Sequence, residues 1–158
     1  MKYLNTIVKW FLIIGMAAIT IIGAYQVVTR FVLNNASSWS EEFIRFAFIW
    51  LSMVGSAYGL GKRVHVGIDF FINLCPKPVQ KAAEWVIHFA IFVFAIYLTY
   101  LGIQLTGGTT KQVSPALGIP MSYVYAAMPV GGILTGIYCI DNAIKDFKAT
   151  RKKEGTSC

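Results

Sequence analysis

The residues of this 158-residue chain best suited to chemistry stand in one short run, Trp39-Ser40-Glu41-Glu42-Phe43-Ile44-Arg45, with Arg30 a little before it. Adjacent carboxylates beside an arginine can serve acid–base catalysis, but the Glu–Glu–Arg spacing favours a structural charge cluster, and catalysis is not expected. Glu41 and Arg45 are four residues apart and can pair on one helix face. Arg30 reaches a similar depth from the preceding apolar run and could pair with Glu42, and the expected result is a charge cluster that locks the first two helices together. A plainer alternative for Arg30 is a side chain that snorkels to the head groups. Ser38 or Ser40 is expected to cap the second helix, whose positive dipole end favours both carboxylates.

A second group lies between Val64 and Pro78. His65, Asp69 and Asn73 recur every four residues, while Ile68, Phe71, Ile72 and Cys75 fall on the opposite face, the pattern of an amphipathic helix lying on a membrane surface. Pro76 and Pro78 end it. His65 is either a proton-linked switch or, the reading favoured here, a polar contact to lipid phosphate or to a partner chain. Further on, Gly55 and Gly59 in one apolar run, and Gly132 and Gly136 in another, have the spacing that lets helices approach closely. Pro129 removes a helical hydrogen bond and predicts a kink near Tyr125. Cys75, Cys139 and Cys158 form neither a CxxC nor a metal-ligand pattern, and no cofactor is expected.

The elements that position these residues follow from composition. With 56% hydrophobic and 13% charged residues the chain cannot cover a soluble globule with polar side chains. A membrane helix needs about 20 predominantly apolar residues. Four runs qualify: Trp10 to Thr29, Phe43 to Gly61, Trp85 to Thr106 and Met121 to Ile140. The first is longer than a secretory h-region and no small-residue cleavage site follows it, so it reads as a retained span. Lys2, Lys9, Lys62, Arg63, Lys77, Lys81, Lys145, Lys148, Arg151, Lys152 and Lys153 flank one side of these spans and Lys111 alone lies in the other two loops, which predicts cytoplasmic termini. The expected fold is all-α, with four transmembrane helices and a surface helix between the second and third. Residues 1–148 are read as one domain and 149–158 as a basic, disordered tail.

No Asp or Glu lies at mid-depth in any span, and no halves repeat, so a self-sufficient ion-coupled transporter is disfavoured. The same absence speaks against a small proton-coupled drug exporter. A competing class is the haem-binding membrane anchor of a respiratory enzyme, whose two ligands would have to be His65 and His88. His65, however, falls outside the apolar runs.

Three stretches taken in order carry a family resemblance. They are Trp39-x-Glu41-Glu42-x-x-Arg45 with Trp50; Lys62-Arg63-Val64-His65-Val66-Gly67-Ile68-Asp69; and Ser114-Pro115-Ala116-Leu117-Gly118-Ile119-Pro120, followed by Tyr123 and Pro129-Val130-Gly131. The chain resembles the small membrane subunit of tripartite ATP-independent periplasmic (TRAP) transporters. The resemblance implies a non-enzymatic scaffold in a bacterial inner membrane. Its implied partners are a large multi-helix subunit that carries the transport and Na⁺ sites, a periplasmic binding protein that captures an organic acid such as a dicarboxylate or sialic acid, and the surrounding lipids.

Overall fold

Long uncharged runs fold as helices in lipid because each backbone N–H and C=O must find a partner within its own segment. The computed structural model describes residues 2–32, 37–62 and 77–154, and these form five helices: α1 (Lys2–Phe31), α2 (Ser38–Gly61), α3 (Lys77–Gly108), α4 (Met121–Tyr125) and α5 (Ala127–Glu154). Four segments are long and apolar enough to cross a membrane: Tyr3–Phe31, Ser38–Gly61, Trp85–Gly108 and Met121–Lys145. They coincide with the four expected spans, and each helix extends beyond its apolar run. The surface helix expected around His65, Asp69, Phe71 and Asn73 lies outside the described residues.

The fourth crossing is the pair α4 and α5. It breaks at Ala126, one residue beyond the position expected from Pro129, whose ring leaves the Tyr125 carbonyl without its helical donor. α5 packs on both α3 and α2, and α1 lies chiefly against α2.

Small residues stand at several of the close helix contacts. Ala57, Ala95 and Ala127 are buried, and a side chain added at Gly131 would strike Met53 of α2. A Cβ at Gly132 would run into Thr99 and the Ala95 carbonyl of α3. Trp10, Ile14, Ile21, Phe89 and Ile103 instead face outward. This is the packing of helices in lipid, where close backbone approach replaces hydrophobic burial as the source of association. The two glycine pairs behave differently. Gly132 and Gly136 meet Thr99 and Ala95, whereas Gly59 has open space around it and Gly55 has only Leu12 at 3.6 Å. Besides Gly131, the glycines at which α2 meets a neighbour closely are Gly61, filled by the Tyr138 ring, and Gly15 of α1, which receives Leu51.

Candidate functional site

The charged run at the start of α2 divides between two surroundings, because Glu41 and Glu42 point about 100° apart around a helix of 3.6 residues per turn. Glu41 faces outward and pairs with Arg45 at 3.0 Å, with both side chains more than half exposed. Glu42 faces inward and is only 8% exposed. Among the described residues no ion pair joins it to Arg30, which is exposed. The expected Arg30–Glu42 lock between the first two helices is therefore replaced by another arrangement.

Glu42 holds the loop that follows α3. Its Oε2 accepts the hydroxyl of Ser114, the backbone N–H of Leu117 at 3.0 Å and that of Ala116 at 3.2 Å. Two successive amides converging on one carboxylate oxygen form an anion-binding nest. The loop, residues 109–120, is shaped for this by its own bonds. Gly118 N–H donates to the Ser114 carbonyl at 3.1 Å, Ser114 N–H to Ile119 at 2.9 Å, and Met121 N–H to Gln112 at 2.8 Å. Val113 and Pro120 bridge its two ends. Gly118 sits at φ 66°, the left-handed region that a side chain disfavours, and so closes the turn. Thr109 anchors the loop's start through its hydroxyl, which donates to the Leu105 carbonyl at 2.8 Å.

Helix α1 joins this end by another contact, the Tyr25 and Trp39 rings, whose centroids lie 5.8 Å apart. The cap of α2 also differs from expectation. Its N-cap is Ser37, whose hydroxyl makes no capping bond, and Ser40 donates its own hydroxyl back to the Ser37 carbonyl at 2.8 Å. Deeper along α2, Trp50 Nε1 donates to the Tyr123 carbonyl at 3.1 Å, tying α2 to α4 just before the helix break.

The opposite end carries a second polar knot. Tyr138 of α5 donates its hydroxyl to Asn5 of α1 at 2.8 Å, and its ring occupies the space left by Gly61 of α2. Asn142 Nδ2 donates to the Leu60 carbonyl at 2.8 Å, satisfying one of the orphan acceptors at the C-terminus of α2. Cys139, buried beside them, contacts the His88 carbonyl of α3 at 3.3 Å. Neither Tyr138, Asn142 nor Asn5 stands out in the sequence, since isolated polar residues near span ends are ordinary. Among the described residues no three His, Cys, Asp or Glu side chains come together as metal ligands.

The geometry therefore fastens four crossings at both ends, and the only ion pairs it shows among the described residues are the helix pairs Glu41–Arg45 and Asp141–Lys145. The three motifs of the family resemblance now have places: the first and third meet in the Glu42–Ser114 junction, and most of the second lies outside the described residues. Residues 19–149 match the family model for tripartite ATP-independent periplasmic transporters, DctQ component. The chain belongs to this family, which makes it a small permease subunit of a TRAP transporter and not an enzyme or respiratory anchor.

Individual relatives agree. A putative TRAP transporter small permease protein of Haemophilus influenzae is 24% identical over 152 residues, covering 96% of this chain and 92% of the relative. The sialic acid TRAP transporter small permease protein SiaQ of Vibrio cholerae is 30% identical over 132 residues, covering 84% of this chain and 76% of that one. The sialic acid TRAP transporter permease protein SiaT of Haemophilus influenzae is 29% identical over 150 residues. That match takes in 94% of this chain but only 24% of SiaT, so the chain spans about a quarter of that longer relative.

Proposed function

We propose that this chain is the supporting subunit of a Na⁺-driven, binding-protein-dependent importer of an organic acid, a carboxylate of the sialic acid or dicarboxylate kind. The observation that carries this reading is the contrast between its inside and its outside. The interior is closed by small residues and by fixed polar bonds at both ends, with no carboxylate at mid-depth. The exterior of α1 and α3 is a broad apolar surface. A chain of that form holds another protein rather than conducting a solute itself. SiaT, in which a segment similar to this chain makes up a quarter of a larger permease, supports a large membrane subunit as the protein held.

The eleven basic residues on one side against Lys111 on the other support cytoplasmic termini in a bacterial inner membrane. In that orientation Glu42, Ser114 and the 109–120 loop stand at the periplasmic face, beside the place where a substrate-binding protein would dock. His65, Asp69, Phe71 and Asn73 would seat a surface helix among cytoplasmic head groups, and residues 149–158 would extend the four-helix domain of residues 1–148 as a basic tail.

Co-purification tests the reading. A tagged chain extracted in mild detergent should bring with it a much larger hydrophobic subunit, and a homo-oligomer without that partner would overturn the proposal. Proteoliposomes containing this chain alone should take up no organic acid; Na⁺-dependent uptake by the lone subunit would be equally fatal.

A further inference from the structure

The four crossings stand in a row: α3 lies against α5, α5 against α2 and α2 against α1, and among the described residues α3 touches neither α1 nor α2. α3 is therefore one edge of the row. Its packing side carries Ala95, which lies beside Gly132, and Gly102, whose missing side chain admits Pro129. On the opposite side Val86, Val93, Tyr97, Tyr100 and Gln104 follow at intervals of seven, four, three and four residues, which keeps them on a single line of the helix. That line points away from the rest of the chain, and Tyr97 and Tyr100 are 61% and 59% exposed.

A line that faces lipid should be aliphatic, and at its depth this one is not. Tyr97 stands midway along the Trp85–Gly108 span, about 17 Å from either end, and Tyr100 about 12 Å from the nearer one. Side chains on a helix lean toward its N-terminus, which carries the Tyr100 hydroxyl away from the nearer water layer. Gln104, one turn on, brings two donor hydrogens and an acceptor. Among the described residues none of these three side chains makes a hydrogen bond. Hydrocarbon offers no partner either, and polar groups left in that state are costly in a membrane. The outward line of α1, at the other edge of the row, is different. At mid-depth it presents Ile13, Ala17, Ile21 and Ala24, and the neighbouring Thr20 donates its hydroxyl to the Met16 carbonyl of its own helix at 2.9 Å.

We propose that the outward line of α3 is the seam on which a transmembrane helix of the large permease subunit docks, its polar groups bonded to Tyr97, Tyr100 and Gln104. The inference rests on the reading of this chain as a supporting subunit and names the face that does the supporting. From Val86 to Gln104 the line is about 27 Å long, nearly the hydrocarbon thickness, so it matches a whole crossing. Interhelical hydrogen bonds join helices where hydrophobic burial cannot. SiaT favours the large subunit over a second copy of this chain as the occupant, since a segment similar to this chain there forms 24% of one longer permease.

The test uses the full tagged chain in the membranes of its own host. A benzophenone-bearing residue in place of Tyr97, irradiated before extraction and purified under denaturing conditions, should give an adduct whose peptides map to a membrane-spanning segment of the large permease. Capture of a second copy of this chain, or of lipid alone, would overturn the seam. Tyr97→Phe, Tyr100→Phe and Gln104→Leu combined keep the bulk of the line and remove its polar groups. The triple variant should bind the large subunit in mild detergent about twentyfold more weakly, the effect of three interhelical bonds of average strength. Its own thermal midpoint should match that of the unaltered chain, because these groups have no partner among the described residues. Undiminished binding, or a lowered midpoint, would overturn the proposal. Failure of the unaltered chain to bring down any large subunit would fell the scaffold reading and the seam with it, whereas failure confined to the crosslink or to the triple variant fells the seam alone.

Discussion

Ser114 donates its hydroxyl to the carboxylate of Glu42 across 72 residues of sequence, and the N–H groups of Ala116 and Leu117 complete the same oxygen's shell. One inward-facing acid thus sets the shape of the loop between the third and fourth crossings. Glu42→Ala should lower the thermal midpoint in detergent more than Ser114→Ala, since it strands a hydroxyl and two amides instead of one partner. Limited proteolysis should then cut within residues 109–120. An intact loop in Glu42→Ala would show that the loop's own backbone bonds suffice.

The neighbouring pair is expected to matter little for folding. Glu41 and Arg45 meet in the open, a setting where helix pairs contribute about 0.3–0.5 kcal/mol. Arg45→Ala should therefore leave the thermal midpoint of the isolated chain nearly unchanged and show its effect, if it has one, only in the yield of the assembled complex.

Gly132 and Gly59 offer a matched comparison. Gly132→Ala places a methyl against Thr99 and the Ala95 carbonyl, and overpacking of this kind costs about 1–3 kcal/mol. Gly59→Ala meets open space and should be neutral or stabilising by up to about 1 kcal/mol. Denaturant titration in micelles reads both, and equal destabilisation would mean that Gly59 lies against something outside this chain.

The knot at the other end can be measured as a cycle. Tyr138→Phe and Asn5→Ala each remove one side of the same bond, so the double variant should cost less than the sum by about 1 kcal/mol. Additive losses would show that the two residues act separately.

Trp50 provides a spectroscopic check on the broken crossing. Trp50→Phe keeps an aromatic ring, though a smaller one, and loses the N–H that reaches the Tyr123 carbonyl, a bond worth about 0.5–1.5 kcal/mol. Amide hydrogen exchange should rise between Tyr123 and Val130; unchanged protection there would exclude the bond as a support for α4.

The spans were legible in the sequence because lipid permits only one kind of spanning segment here, and the helix break followed directly from Pro129. The Glu41–Arg45 spacing was legible for a similar reason, being local to one helix. Glu42 was not, since adjacent positions on a helix face different neighbours and nothing near residue 42 announces a nest formed 72 residues away. The signal lay in Ser114 through Gly118, a turn whose amides need an acceptor, but a sequence does not state which acceptor they take. The glycine pairs show the same limit. GxxxG spacing is shared by Gly132, which admits a neighbour, and Gly59, which admits none, and only the placement of α3 against α5 distinguishes them.

Helix α1 runs from Lys2 to Phe31, about 45 Å at 1.5 Å per residue, against a hydrocarbon layer of about 30 Å. Its charges divide that length usefully, for Lys9 and Arg30 are 21 positions apart, roughly 32 Å along the axis. The helix therefore carries its own gauge of bilayer thickness. In a thinner membrane it must lean to keep the apolar residues between those cations in hydrocarbon, and its ties at Tyr25–Trp39 and Asn5–Tyr138 would make the other crossings lean with it.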